Sequence, residues 1–222
     1  ISIVGTRKPN QYTKEFTAKL SSKLSNAGVV IVSGAAMGVD AIAHSNAKDL
    51  NTIAVMANGL DIKYPAVNKS LISNMEENAL VLSSYKEGTK ATKYSFVHRN
   101  EIVVALGEIL IVTEADLNSG SLRSVEYALK MGKTIYTIPH RIGQSQGTNK
   151  LLQENTAKAI YDIDQFIARI GITIKEKQFD EILEVCLNNP SYEEVVKKFS
   201  QKIFEYELLG KIKVENGKVI VL

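Results

Sequence analysis

Disulfides, membrane spans and the common cofactor fingerprints are all missing from this sequence. Cys186 is the only cysteine in 222 residues, so no intrachain disulfide can form, and no CxxC pair is present. That usage suits a reducing compartment and predicts a cytoplasmic protein. No apolar run approaches the roughly 18–20 residues that a bilayer-crossing helix needs, so no membrane partner is expected. No GxGxxG follows the first strand-like run, and no GxxxxGK[ST] occurs anywhere, which removes the dinucleotide fingerprint and the P-loop. His44, His98 and His140 are scattered, without HExxH spacing or a cysteine partner, so neither a metal nor another cofactor is expected. There are no internal repeats and no low-complexity tracts. The chain opens at Ile1, already inside a strand-like run, so further residues are expected upstream.

What is present is ordinary in bulk: 45% apolar and 23% charged residues, with length enough for one large domain and a small one. The net charge of +3 is unevenly spread. From Thr173 onward 8 Lys/Arg face 9 Asp/Glu, or −1, leaving 27 − 8 = 19 against 24 − 9 = 15, or +4, for the rest. A polyanion site is therefore expected in the first part of the chain.

Six short β-branched runs recur at intervals that leave room for a helix: Ile1–Val4, Val29–Val32, Thr52–Met56, Ala79–Leu82, Ile109–Thr113 and Thr134–Ile138. Each is nearly all apolar, as strands covered on both faces of a parallel sheet are. Between them lie amphipathic stretches such as Tyr12–Ala27, with Phe16, Leu20 and Leu24 on one face. The alternation predicts a doubly wound, mostly parallel, Rossmann-like α/β domain over residues 1–168. A linker is expected over 169–175 and a second domain over 176–222. There, Phe179–Leu187 reads as a helix, Ser191 caps a second with Glu193 and Glu194 in its first turn, and Phe199–Leu209 reads as a third. Lys211–Glu215 and Lys218–Leu222 then form a hairpin around Asn216-Gly217. Three helices followed by a hairpin is the order of a winged helix. The third helix sets Lys202 against Glu205 and Glu207, so it is expected to meet a partner or a second copy rather than a DNA groove. Cys186 reads as a core residue.

Ligands of an open parallel sheet sit beyond the carboxyl ends of its strands. Every segment that follows a predicted strand contains glycine. They carry Gly5-Thr6-Arg7, Ser33-Gly34 through Gly38-Val39-Asp40, Gly59-Leu60-Asp61, Gly88 through Asn100, Ser119-Gly120-Ser121, and Gly147-Thr148-Asn149. Glycine admits close backbone approach, and hydroxyls with free N–H groups favour phosphate. Arg7, Lys63, Lys93, Arg99 and Arg141 add charge along the same rim. The segment after strand four mixes Lys93 and Arg99 with Tyr94 and Phe96, and reads as a loop that tracks a nucleic-acid backbone while offering faces to bases. Asp40, Asp61, Glu114 and Asp116 could serve a nuclease, but Asp40 and Asp61 read better as turn and cap residues. No nucleophile–base pair stands out, so no catalytic residue is assigned and the chain is read as a binding protein, not an enzyme. A competing class is a Rossmann-like phosphoribohydrolase acting on nucleotides. Its PGGxGTxxE pattern fails at Asn118–Ser124, where no glutamate stands at the required offset. A third reading is an adaptor working through the tail.

With these pieces in order, the sequence resembles the DNA-processing protein A family (DprA, also called Smf). The resemblance rests on Val4-Gly5-Thr6-Arg7, Ser33 through Asp40 with Ala43-His44, Gly59-Leu60-Asp61 with Tyr64-Pro65, Phe96 with Arg99-Asn100, Ser119–Leu122, and Gly147 with Asn149. It implies binding of single-stranded DNA during natural transformation, protection of that DNA, loading of a RecA-type recombinase, and action as a homodimer. By position, Arg7, Lys93 and Arg99 are implied as phosphate contacts, Phe96 as a stacking residue, and Ser33-Gly34 and Ser119-Gly120-Ser121 as backbone cradles. Two positions depart from the pattern: Met37 and Glu101 stand where many members carry arginine, which implies a grip with fewer cations and a shallower salt dependence.

Overall fold

The computed structural model describes residues 1–48, 51–171, 181–200 and 202–221, which fall into two compact units, 1–174 and 175–222. The first unit holds strands β1 (Ser2–Val4), β2 (Ile31–Ser33), β3 (Thr52–Met56), β4 (Leu80–Ser83), β5 (Ile109–Val112), β6 (Thr134–Thr137) and β7 (Lys158–Ala159). They form one sheet in the order β4-β3-β2-β1-β5-β6-β7, every pairing parallel. Six of these strands lie where the apolar runs place them. The seventh has only two residues, one of them a lysine, and so carries no strand signal of its own.

Side chains alternate across the sheet and explain why both faces are covered. Ile3, Ile31, Ile111 and Tyr136 pack on one face with Leu20 and Leu24 of α1 (Gln11–Asn26), Val39 and Ala43 of α2 (Val39–Ser45), and Phe166 and Ile167 of α7 (Ile163–Arg169). Their neighbours Val4, Val32, Leu110, Val112 and Ile135 pack on the other. There they meet Val103 and Val104 of α4 (Lys93–Leu106), Val125 and Ala128 of α5 (Ser121–Lys130), and Leu151 of α6 (Gln146–Gln153). α3 (Lys69–Asn78) closes over β3 through Ile72, Met75, Ala54 and Met56.

Helix α4 corrects one expectation. The strand-four segment is a loop only as far as Thr92; Lys93–Asn100 are the opening turns of a 14-residue helix. A reciprocal capping box starts it: the Thr92 N–H donates to Ser95 Oγ at 2.7 Å, and the Ser95 N–H to Thr92 Oγ1 at 3.2 Å. At its far end the Lys133 ammonium donates to the carbonyls of Val104, Ala105 and Gly107, each at 2.6 Å. Those carbonyls lack intrahelical partners, and a cation suits the negative end of the helix.

The second unit runs α8 (Glu181–Cys186), α9 (Tyr192–Phe199), α10 (Lys202–Leu208) and an antiparallel pair, β8 (Ile212–Glu215) and β9 (Lys218–Val221). The predicted start of the first helix, at Phe179, and most of the expected linker lie outside the described residues. Ser191 and Glu194 form a capping box, and Cys186 is buried with Ile182, Val195, Ile203, Ile212 and Val219. The expected helix Phe199–Leu209 is divided: Phe199 ends α9, and Ser200 turns the chain at φ 50° before α10 begins. Asn216 and Gly217 both take positive φ, which a two-residue hairpin turn of this hand requires.

Candidate nucleic-acid interface

The strand order reverses direction between β1 and β5, and this switch point opens a cleft at the carboxyl ends of the strands. The cleft has a volume of about 520 Å³. Gly5, Thr6 and Arg7 enter it from the β1 loop, Lys93, Phe96, Arg99 and Asn100 from α4, and Ser119, Gly120 and Ser121 from the start of α5. The structure thus gathers most of the residues picked from separate loops. It leaves Ser33, Gly34, Thr148 and Asn149 outside this lining. Ser33 is buried, its Oγ donating to the Ile3 carbonyl at 2.6 Å. Thr148 is buried against Ser145, and Asn149 Oδ1 accepts the His140 N–H at 3.0 Å. These contacts hold the loops in place.

Glycines set the β1 loop. A Cβ on Gly5 would lie 2.6 Å from Val39 Cγ2, so β1 and α2 approach closely only because that atom is missing. Gly38, at φ +77°, lies against the backbone of Thr6 and Arg7, and the Val39 N–H donates to the Thr6 carbonyl at 3.2 Å. The Thr6 N–H donates to the Glu114 carbonyl at 2.9 Å. Arg7 therefore projects, exposed, from a loop anchored on both sides.

Lys93 is exposed at the start of α4, as a phosphate contact would need. Arg99 is turned inward instead. It is 4% exposed, and its Nη1 donates to the carbonyls of Gly34 and Val55, while Nε donates to Asn100 Oδ1 at 3.1 Å. Arg99 thus lines the cleft with Nη1 committed to the Gly34 and Val55 carbonyls and Nε to Asn100 Oδ1, and so braces the site from below. A guanidinium with several N–H donors can bridge two strands in this way. Burial pushes its pKa down, opposed by the carboxylate of Asp40. Burial likewise raises Asp40, against which the Arg99 charge and the Ala36 and Gly34 N–H groups stabilise the charged form.

The Phe96 ring is crowded. Arg7 stands 5.0 Å from its centroid, Arg99 5.8 Å, and the Tyr64 ring 6.0 Å. Beneath the β2 loop His44 completes a buried chain that the sequence reading leaves unassigned. Its Nε2 accepts the Ala35 N–H at 3.3 Å and its Nδ1 donates to Thr52 Oγ1 at 2.7 Å, which donates to the Ile31 carbonyl. Burial, then the Arg99 charge, push its pKa down to about 3, so the ring stays neutral. The chain fixes Ala35 at a positive φ of 54°, beside the carbonyl that Arg99 holds.

Comparison with known proteins decides the family. The family model described as DNA recombination-mediator protein A matches residues 1–171. The chain belongs to the DNA-processing protein A family. The Smf protein of Synechocystis is 35% identical over 175 residues, covering 77% of this chain and 44% of that protein. The DprA protein of Streptococcus pneumoniae is 39% identical over 158 residues, covering 69% and 56%. The chain spans about half the length of such curated relatives. Among solved structures, DNA processing protein A of Helicobacter pylori, whose single-stranded DNA binding mode is described, aligns with TM-score 0.75 and 41% identity over 76% of this chain and 78% of that one. The S. pneumoniae DprA structure aligns with TM-score 0.70 and 37% identity over 75% and 60%. The first unit thus carries the DprA fold.

Proposed function

We propose that this chain binds single-stranded DNA, without cutting it, along the cleft between β1 and β5. One observation carries the reading: exposed Arg7 and Lys93 converge with Phe96 and the Ser119–Ser121 turn on a single switch-point cleft. Cations that follow a phosphate backbone, beside aromatic faces, are the usual equipment for binding single strands without a base code. The binding mode described for the H. pylori relative supports this, as does membership of the family. Asp40 faces Arg99 and the β2 loop, and Asp61 accepts the Gly88 N–H at 2.9 Å. Asp61 lies outside the cleft lining, and Asp40, which belongs to it, is 6% exposed and accepts the Ala36 N–H; this supports binding over hydrolysis.

In the whole protein we assign the cleft to protecting incoming DNA in natural transformation and delivering it to a RecA-type recombinase, with two copies acting together. Gel-shift titration against oligo-dT at several salt concentrations tests the core of the proposal. Wild type binds, and Arg7→Ala and Lys93→Ala each weaken binding across base compositions. Unchanged affinity in both variants, or release of free base from nucleotides by the purified protein, overturns it. Light scattering with and without oligonucleotide reads the number of copies. Recombinase ATPase on DNA covered by a single-strand-binding protein reads delivery.

A further inference from the structure

Beside the main cleft lies a shallow recess shared between the loops after β1, β2 and β3. Arg7, Phe96 and Arg99 belong to both; the recess adds Met37, Tyr64 and Pro65. Its enclosed volume is only about 20 Å³, far too small to swallow a ligand, so whatever meets it lies on it. Two of its apolar groups face outward, Met37 at 41% and Tyr64 at 44% exposure. Phe96, by contrast, has two guanidinium groups and the Tyr64 ring around it, and that crowding leaves it a poor sole platform for a base.

We propose that Met37 and Tyr64, together with Phe96, form a nucleobase-holding surface that continues the phosphate track of the main cleft; this rests on the single-stranded DNA reading above. The tilt of 45° between the Tyr64 and Phe96 rings gives neighbouring faces that do not stack on one another. A thioether beside aromatic rings is a polarizable, adaptable contact for another flat π system. Of the buried polar side chains that line the recess, the Asn58 amide nitrogen is committed to the carbonyls of Gly59 and Ile62 at 2.9 and 2.7 Å, and Arg99 Nη1 to those of Gly34 and Val55. The base is therefore held by its face and not read by its edge. Arg7, exposed and stacked by Phe96, lies where the phosphate between two such bases would pass. In this arrangement Met37 and Tyr64 contribute affinity that depends on bases and not on charge.

The test compares oligo-dT with an abasic oligomer of the same length and phosphate content, by fluorescence anisotropy across a salt series. Tyr64→Ala and Met37→Ala each weaken binding to oligo-dT by about 5- to 10-fold, within the range that loss of one stacked base gives. They leave abasic binding and the salt slope unchanged, and Tyr64→Phe restores wild-type affinity. Arg7→Ala instead weakens both oligomers and lowers the slope. Wild-type affinity for oligo-dT in Tyr64→Ala and Met37→Ala overturns the base surface while leaving the DNA-binding reading intact. Equal losses on both oligomers overturn it too, since they report a damaged loop. Failure of wild type to bind either oligomer overturns both readings together.

Discussion

Arg99 lies against Gly34 so closely that the two positions define each other. A Cβ on Gly34 would stand 2.7 Å from Arg99 Nη2 and closer still to Nη1 and Cζ, while the Gly34 carbonyl accepts the guanidinium. Glycine follows strand β2 because a buried cation from α4 occupies the space of a side chain. The same cation sits 5.8 Å from the Phe96 centroid, one helical turn back. Loop, helix and aromatic are thus tied at one point.

Gly34→Ala must push the Arg99 guanidinium off the Gly34 and Val55 carbonyls that it donates to. The expected loss of stability is about 2–4 kcal/mol, the scale of a disrupted buried polar network. Urea denaturation of wild type and variant checks this, with a fall in oligo-dT affinity expected alongside.

Arg99→Ala and Arg7→Ala are expected to separate cleanly. Removing Arg99 leaves the buried Gly34 and Val55 carbonyls without their charged donor and costs about 1–3 kcal/mol of folding stability. Removing exposed Arg7 leaves the denaturation midpoint within about 0.5 kcal/mol of wild type and acts on binding. There the slope of log affinity against log salt drops by about 0.7 for one lost phosphate contact on a single strand. Equal midpoints for the two variants would show that Arg99 is not the structural member.

His44 makes stability depend on pH with a definite sign. Its pKa is pushed down to about 3 in the folded chain and lies near 6.5 when unfolded, so the unfolded state takes up its proton first. The stabilisation is complete above pH 6.5 and is lost progressively as pH falls from there towards 3. A urea midpoint that declines over this window in wild type, and less so in His44→Gln, is the expected pattern. Parallel curves would remove His44 as the cause.

Lys133→Met leaves three carbonyls at the end of α4 without their ammonium donor. A cost of about 1–3 kcal/mol follows from charged hydrogen bonds at a helix terminus. Thermal melting reads it, and Lys133→Arg is expected to recover part of the loss.

The sheet was legible because its strands are buried on both faces, so Ile3-Val4 or Ile109–Val112 read as apolar runs whatever else surrounds them. Helix α4 was not, since Lys93–Asn100 carries no apolar stripe until Ile102–Val104 follow. Its one local signal is the Thr92/Ser95 box, made with Ser where Glu or Gln is the usual third partner. The cleft's membership came through because glycine and hydroxyl groups after parallel strands point to one rim. The inward turn of Arg99 did not, because only the fold sets a carboxylate and two strand-end carbonyls within its reach. Tyr64 and Met37 likewise look like ordinary loop residues until the β2 and β3 loops are side by side.

Helix α4 reaches from the cleft, where Lys93 and Phe96 stand, to the sheet's interior, where Val103 and Val104 are fully packed. A gripping segment built as a loose loop would give up conformational freedom each time it closed on a strand. Here that freedom is surrendered once, when the domain folds, and the hand stays open at a fixed angle. On the proposed reading, the ordering needed to capture a single strand then falls almost entirely on the nucleic acid. How affinity changes with temperature is set by the strand's own stacking, so that a floppy oligo-dT and a self-stacked oligo-dA differ in enthalpy even where they differ little in strength.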